Sequence, residues 1–374
     1  MNLLSIKTTC AAVVLLSACS VNDQTIMESE HNAIGFHLTG SMAETRATPT
    51  TPTNFTTTDF KVYAFTSDGT AVLGTIDEEG PGHNGVLIKH NGEKWDYATS
   101  SDLRYWPEKP LNFYAVNPGT VSDNMQPQFY WQFTPTSQKI TYQCINEYSN
   151  PREGVTNLDV MYAIAKGQTQ STNKSKVKLK FQHILSQVAF QAKTKYDKME
   201  VEIQDIKINN FKVGGDFTLP ADATATPQQS DWDQSTQSHL WGFSLIKDKN
   251  ISVSSSTTVT DLSTNTPMLF MPQKLTQWDT AKSTTEANKA NQTYLEIICR
   301  IKRDGHYVFG SEGSDGYKKM YVPFGANWEP GMRYVYTLIF GSGYDENGNP
   351  IIHEPIAFET DIEDWGVSNK DHAF

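Results

Sequence analysis

Residues 177–181 read Val177-Lys178-Leu179-Lys180-Phe181. Three apolar side chains alternate with two lysines, and a strict period of two puts the apolar residues on one face and the charges on the other, as in a half-buried β-strand. The pattern recurs towards the N-terminus. Phe60, Val62 and Ala64 alternate with Lys61, Tyr63 and Phe65. Trp106-Pro107 precedes Leu111-Asn112-Phe113-Tyr114-Ala115-Val116-Asn117-Pro118, a strand closed by a turn, and 159–165 form another strand. It recurs towards the C-terminus as well. Ile206 and Ile208 lie in a strand expected to end near Gly214-Gly215, and Met268-Leu269-Phe270-Met271 is an apolar run closed by Pro272. Residues 294–303 place Leu295, Ile297, Cys299 and Ile301 on one face, 334–340 form a strand stopped by Gly341, and Ile356, Phe358, Thr360 and Ile362 mark the last one. Many short strands separated by turn signals predict an all-β chain of sandwich type. No segment carries a long helical period; short helical pieces are expected near residues 182–189 or 280–290.

The length of 374 residues suggests about two domains, and 16 Tyr, 18 Phe and 8 Trp suit pleated, half-buried surfaces. The polar stretch 167–175 is the expected break, dividing an N-terminal sandwich (47–172) from a C-terminal one (173–374). With 42 acidic against 31 basic residues, the net charge of −11 excludes the basic footprint that a nucleic-acid partner requires.

The first twenty residues are an address. Lys7 precedes a short apolar run too short to anchor as a membrane span, so residues 1–18 read as a secretory signal. The run ends in Leu16-Ser17-Ala18-Cys19, a lipobox whose Cys19 thiol is the expected lipid acceptor. Acyl chains contribute about 0.8 kcal/mol per buried methylene, so several of them hold a protein on a membrane. Loss of 1–18 removes Cys10 and one lysine, leaving Cys144 and Cys299 in the body. Secretion permits a disulfide between these two, whereas the alternation around Cys299 marks it as a core position. Residues 19–46 hold a polar tether and a short strand in which Ile34, Phe36 and Leu38 alternate with Gly35, His37 and Thr39. Arg46-Ala47 follows, then the Thr/Pro stretch 48–53, which favours an extended, exposed connection. Arg46 is thus placed where a protease can reach the backbone.

The order of these segments resembles the fimbrillin family of Bacteroidales, the subunits of type V pili. The resemblance runs from the lipobox and the Arg-Ala step through RYWPEKPLNFYAVNP (104–118), LDVMYAIAKG (158–167) and VKLKFQHILSQVAF (177–190). It continues through IKINNFKVGGDF (206–217), MLFMPQKL (268–275), ANWEPGMRYVYTLIF (326–340) and IAFETDIEDW (356–365). It implies two tandem transthyretin-like β-sandwiches, export as an outer-membrane lipoprotein, and cleavage by a trypsin-like protease after Arg46. The strand of Ile34, Phe36 and Leu38 then leaves, and a terminal strand of a neighbouring subunit takes its groove. The implied partners are other fimbrial subunits and, for an adhesive role, a receptor on a host or bacterial surface. Residues 355–365, with Ile356, Phe358 and Ile362, are either the donated strand or a fixed strand of the second domain. Stalk, tip and anchor positions stay open with that choice and with whether Arg46 is cut.

Other residues invite chemistry. His183 has no accompanying nucleophile motif and reads as a hydrogen-bonded structural histidine. Asp345-Glu346-Asn347-Gly348-Asn349 resembles a calcium loop in composition but lacks the glycine and distal glutamate of that loop, and reads as a hairpin turn. Asp279-Thr280-Ala281 resembles a short O-glycosylation motif. No catalytic residue, metal site or cofactor is expected. Trp95, Tyr97, Tyr105 and Trp106 could stack on sugar rings or pack in the core. Exposed stacking would favour the alternative function, a surface glycan-binding lipoprotein of a nutrient-uptake system. A glycoside hydrolase would need two carboxylates at fixed separation across a cleft, which no motif marks.

Overall fold

The computed structural model describes residues 32–40, 58–76, 84–121, 129–144, 158–173, 176–235, 241–263, 268–341, 343–351 and 356–364. These are nearly all β, as the alternating patterns require. The first sheet runs, in spatial order, β1 (Gly35–Gly40), β10 (Lys176–His183), β9 (Met161–Gln168), β6 (Leu111–Asn117), β2 (Asp59–Thr66), β4 (Val86–His90) and β5 (Trp95–Tyr97), with β3 (Ala71–Leu73) also on β2. The second is β14 (Trp232–Asp233), β13 (Gly214–Thr218), β8 (Gln138–Gln143) and β7 (Phe129–Phe133). The third is β17 (Thr260–Asp261), β11 (Ser186–Thr194), β24 (Met332–Phe340) and β25 (Ala357–Asp364), with β18 (Met268–Phe270) on β11. The fourth is β15 (Trp241–Ile246), β12 (Met199–Phe211), β20 (Tyr294–Arg303) and β21 (His306–Phe309), with β16 (Ile251–Val253) on β12 and β22 (Lys318–Pro323) on β20. A small pair, β19 (Lys274–Leu275) and β23 (Ala326–Asn327), two short α-helices, α1 (Gln170–Asn173) and α2 (Thr284–Lys289), and three single-turn 3-10 helices complete the described elements.

Over β2, β6 and β9 the first sheet is apolar on both faces. One face packs on the second sheet, where the Trp131 indole N–H donates to the Tyr63 hydroxyl at 2.9 Å and Tyr162 meets Phe217 with ring centroids 5.4 Å apart. This explains why Tyr63 and Phe65 are as buried as Phe60 and Val62, although the two sets point to opposite faces. The other face is concave: the sheet rolls until its ends, β1 and β5, approach each other. It encloses a separate apolar cluster built from Phe60, Val62, Phe113, Val177, Leu179 and Phe181 together with the three large residues at 34, 36 and 38. The third and fourth sheets pack through aromatic rings. Phe270 on β18 lies 5.2 Å from both Phe211 and Phe243 and stacks on Trp328, also at 5.2 Å. The Trp328 N–H donates to the Tyr336 hydroxyl at 2.9 Å.

Two expectations need correction. The polar stretch 167–175 does not divide the sheets. β10 lies beyond it, yet carries Val177, Leu179 and Phe181 into the same cluster as β2 and β6, while β13 and β14 return from residues 214–233 to complete the second sheet. Residues 170–172 are exposed between β9 and β10, and exposure alone does not make a boundary. The chain crosses between sheets at Ile184-Leu185, both fully buried. Secondly, residues 182–189 are the end of β10 and the start of β11, not a helix. Residues 183–188 are all buried, and a continuously buried run shows no period to separate strand from helix. The helical piece expected near 280–290 is present as α2, capped by Ser283, which accepts from the Glu286 amide.

At the crossing, His183 Nδ1 and Asp159 Oδ1 are 2.9 Å apart, with both side chains almost fully buried, as expected of a structural histidine. Cys144 and Cys299 are both buried free thiols, and burial pushes each thiol pKa far up. Gly214 and Gly215 open β13 rather than a turn. A Cβ on Gly214 would lie 2.2 Å from the Tyr142 carbonyl oxygen, so only glycine permits this approach.

Two outcomes follow from this packing. His183→Ala removes the buried contact with Asp159 and should lower stability by about 1–3 kcal/mol, read from denaturant unfolding. Alkylation of the native protein should leave Cys144 and Cys299 unmodified, with both labelled only on unfolding, as mass spectrometry would show.

Candidate functional site

The first sheet holds one strand on different terms from the rest. β1 lies parallel to β10, in register from Gly35 opposite Lys176 to Gly40 opposite Phe181. Its alternation follows directly from its sequence: Ile34, Phe36 and Leu38 are 1%, 5% and 2% exposed, while Gly35 and His37 are only half-buried. Phe36 makes the aromatic contacts, with ring centroids 6.0 Å from Phe60, 6.0 Å from Tyr97 and 6.4 Å from Phe113. Burying three such side chains contributes roughly 5–9 kcal/mol at about 1.5–3 kcal/mol each.

The opposite edge of β1 is held by scattered bonds rather than a ladder. The Ile34 amide donates to the Arg104 carbonyl at 2.9 Å, and the Trp106 amide donates to the Asn32 carbonyl at 3.0 Å. The Tyr97 hydroxyl donates to the Ile34 carbonyl at 2.9 Å, and burial raises the pKa of that phenol, so it stays a donor. Between β1 and β5 lies a cavity of about 410 Å³ lined by Ile34, Phe36, Trp95, Tyr97, Leu103 and Tyr105, among others. β10 depends on β1 in turn. Among the described residues its register with β9 is confined to Gln182–Tyr162 and His183–Met161, so positions 176–181 take their ladder from β1. Removing β1 would therefore expose both an apolar trough and a row of unpaired backbone groups, the features that template an added strand.

β25 is the contrasting element. It forms the edge of the third sheet, antiparallel to β24 from Met332–Asp364 to Ile339–Ala357. Ile356 just before it is buried and Phe358 is half-buried, 5.6 Å from Phe324, but Ile362 is 58% exposed. Lys193–Glu359 and Arg333–Glu363 ion pairs, each 2.8 Å, fasten its outer face. Such exposed pairs are worth little individually. Residues 357–364 thus form a strand in this structure, held on one side by β24.

The remaining sequence candidates separate clearly. Cys19, Arg46 and Ala47 lie outside the described residues. Trp95, Tyr97 and Trp106 face inward: Trp95 packs 5.3 Å from Phe60, and Trp106 lies 5.8 Å from Phe113. Tyr105 alone of the four is exposed, so these residues form no stacking platform. The Asp345 carboxylate accepts from the Asn347 and Asn349 amides at 2.9 and 2.8 Å, the hairpin turn expected of that segment. Thr280 sits half-buried in a turn between exposed Asp279 and Ala281. Among the described residues no group of three His, Cys, Asp or Glu side chains is placed to hold a metal ion. The residues that the sequence alone did not single out for the site are Tyr97 and the Lys176, Lys178 and Lys180 face of β10. The lysine alternation was visible, but nothing local showed that β1 would lie beside it.

The first described strand thus closes a rolled β-sheet, and the last described strand lies at the edge of another. The chain matches the fimbrillin-like family model over residues 45–365 and belongs to that family. It is 24% identical over 190 residues to the fimbrium subunit Fim1C of Phocaeicola vulgatus, a match spanning 48% of this chain and only about half (48%) of that relative's length. Among solved structures, a fimbrial protein from Bacteroides vulgatus superposes with a TM-score of 0.54 at 15% identity, covering 89% of this chain and 99% of the other. At that identity the likeness is one of fold.

Phe36→Ala should weaken β1 docking by about 3–5 kcal/mol, seen as faster amide exchange along Lys176–Phe181. Ile362→Ala, at an exposed position, should change stability by no more than about 0.5 kcal/mol.

Proposed function

We propose that this chain is a structural subunit of a cell-surface fimbria that polymerises by donor-strand exchange. It is exported to the outer membrane as a lipoprotein through Cys19 and cut between Arg46 and Ala47. It then gives up β1 and receives a terminal strand from a neighbouring subunit. The observation that carries this is the way β1 is held: three buried side chains on one ladder, with its covalent link to β2 running through residues 41–58, which include Arg46.

The energetics favour exchange after a cut. Ordering the six residues of β1 costs about 6–12 kcal/mol at about 1–2 kcal/mol per residue, comparable to the roughly 5–9 kcal/mol from burying its apolar side chains. While the chain is intact the strand is intramolecular and its effective concentration keeps it docked. Once severed, it has only this near-balance to hold it, and a competing strand can replace it. Strand donation from one subunit to the next is head-to-tail, and such contacts build open filaments rather than closed rings. The exposed edge position of β25 supports a subunit that donates as well as accepts, as in a stalk. An adhesive role towards a host or bacterial surface receptor accompanies the fimbrial one. The inward-facing Trp95, Tyr97 and Trp106 leave the glycan-binding alternative without its platform.

N-terminal sequencing of the protein released from the cell surface tests this. The expected start is Ala47, with Arg46→Ala abolishing both that start and the high-mass polymers. A start at Cys19 with polymers unaffected would refute cleavage as the trigger.

A further inference from the structure

The slot of β1 and the last strand of the chain share a code. From residue 34, β1 and its entry read Ile34-Gly35-Phe36-His37-Leu38-Thr39; from residue 356 the terminal strand reads Ile356-Ala357-Phe358-Glu359-Thr360-Asp361. Both begin with isoleucine, a small residue and phenylalanine. Laid in the place of β1, with the same direction and register, Ile356 and Phe358 fall where Ile34 and Phe36 are buried. Ala357 then falls opposite Lys176, as Gly35 does.

The outward face differs in one respect. Lys176, Lys178 and Lys180 stand exposed on β10 at alternate positions, and among the described residues no carboxylate lies within ion-pair distance of them. β1 offers them Gly35, His37 and Thr39. The terminal strand offers Glu359 opposite Lys178 and Asp361 opposite Lys180 in the same register. The spacing matches because both strands repeat every two residues, and opposite charges directly across a strand pair attract while like charges repel.

We propose that the slot selects residues 356–361 of a second copy of this chain, seated parallel to β10 in the register of β1, by pairing Lys178 with Glu359 and Lys180 with Asp361. This rests on the strand-exchange reading and names its partner. The resident strand buries Leu38 where the incoming strand brings Thr360, but among the described residues it leaves the lysines without a counter-charge. The incoming strand keeps the Ile-x-Phe fit and adds two cross-strand ion pairs at the slot, so the charges there favour the copy over other strands of similar shape. In leaving its own sheet, the donor gives up the Glu359–Lys193 and Glu363–Arg333 pairs and gains the Lys178 and Lys180 pairs in their place. Because these charges are exposed, they act on partner choice and rate and are weakened by salt.

The test uses the full chain expressed in its exporting host, with the yield of detergent-resistant high-mass ladder as readout and thermal melting to confirm that each variant folds. Lys178→Glu places two acids face to face and should cut the ladder by roughly tenfold or more. Glu359→Lys in the same chain should restore it, whereas Asp361→Lys should not. A Lys178→Glu chain that polymerises like the wild type would overturn the charge selection. Rescue by Asp361→Lys instead, or by neither, would overturn the register. A chain truncated after Ile351 keeps the slot but has no terminal strand. If it still forms the ladder, or if the wild type forms none, strand donation by this segment is itself wrong, a failure distinct from that of the charge pairing.

Discussion

The ladder between β1 and β10, with Ile34, Phe36 and Leu38 set into the concave face behind it, is the contact on which the first sheet depends. A rolled sheet has two ends, and its enclosed face stays dry only while both are covered. Here β1 closes one side, and Ile34 at its entry bonds to β5 through the Tyr97 hydroxyl and to the segment after β5 through the Arg104 carbonyl. β10 completes its hydrogen bonding across positions 176–181 only with a neighbour in that place. The sheet therefore requires a strand in this slot, but the physics does not require that strand to come from the same chain.

This separates two kinds of stability in one molecule. The aromatic packing of Phe270 on Trp328, and of Tyr63 beneath Trp131, joins segments far apart in sequence and holds the body together however the slot is filled. The buried His183–Asp159 pair fixes the crossing where the chain leaves the first sheet for the third. These contacts have no exposed substitute. The strand in the slot does have one, since any extended segment with apolar residues at every second position can satisfy the same trough and the same backbone. Packing that lies outside the slot, and a slot that another strand could fill, are what the proposed exchange between subunits requires.

The alternation in Val177-Lys178-Leu179-Lys180-Phe181, and in residues 34–39, was enough by itself to specify strands, their buried faces and an all-β chain, because the side-chain period of a strand is local and is written directly in the order of residues. The same locality made the Asp345 turn and the His183 structural role legible. The division of the chain was not legible in this way. The polar stretch 167–175 reports only exposure, and the pairing of β13 with β8 across some seventy residues depends on Gly214 fitting against the Tyr142 carbonyl, a tertiary circumstance. Residues 182–189 concealed their strands because burial on all sides erases periodicity. Trp95, Tyr97 and Trp106 could equally have faced solvent or core until the rolling of the sheet turned them inward. Above all, which strand lies beside Lys178, and whether its charges are answered, is decided by long-range pairing, since register is a relation between two strands and neither sequence contains it alone.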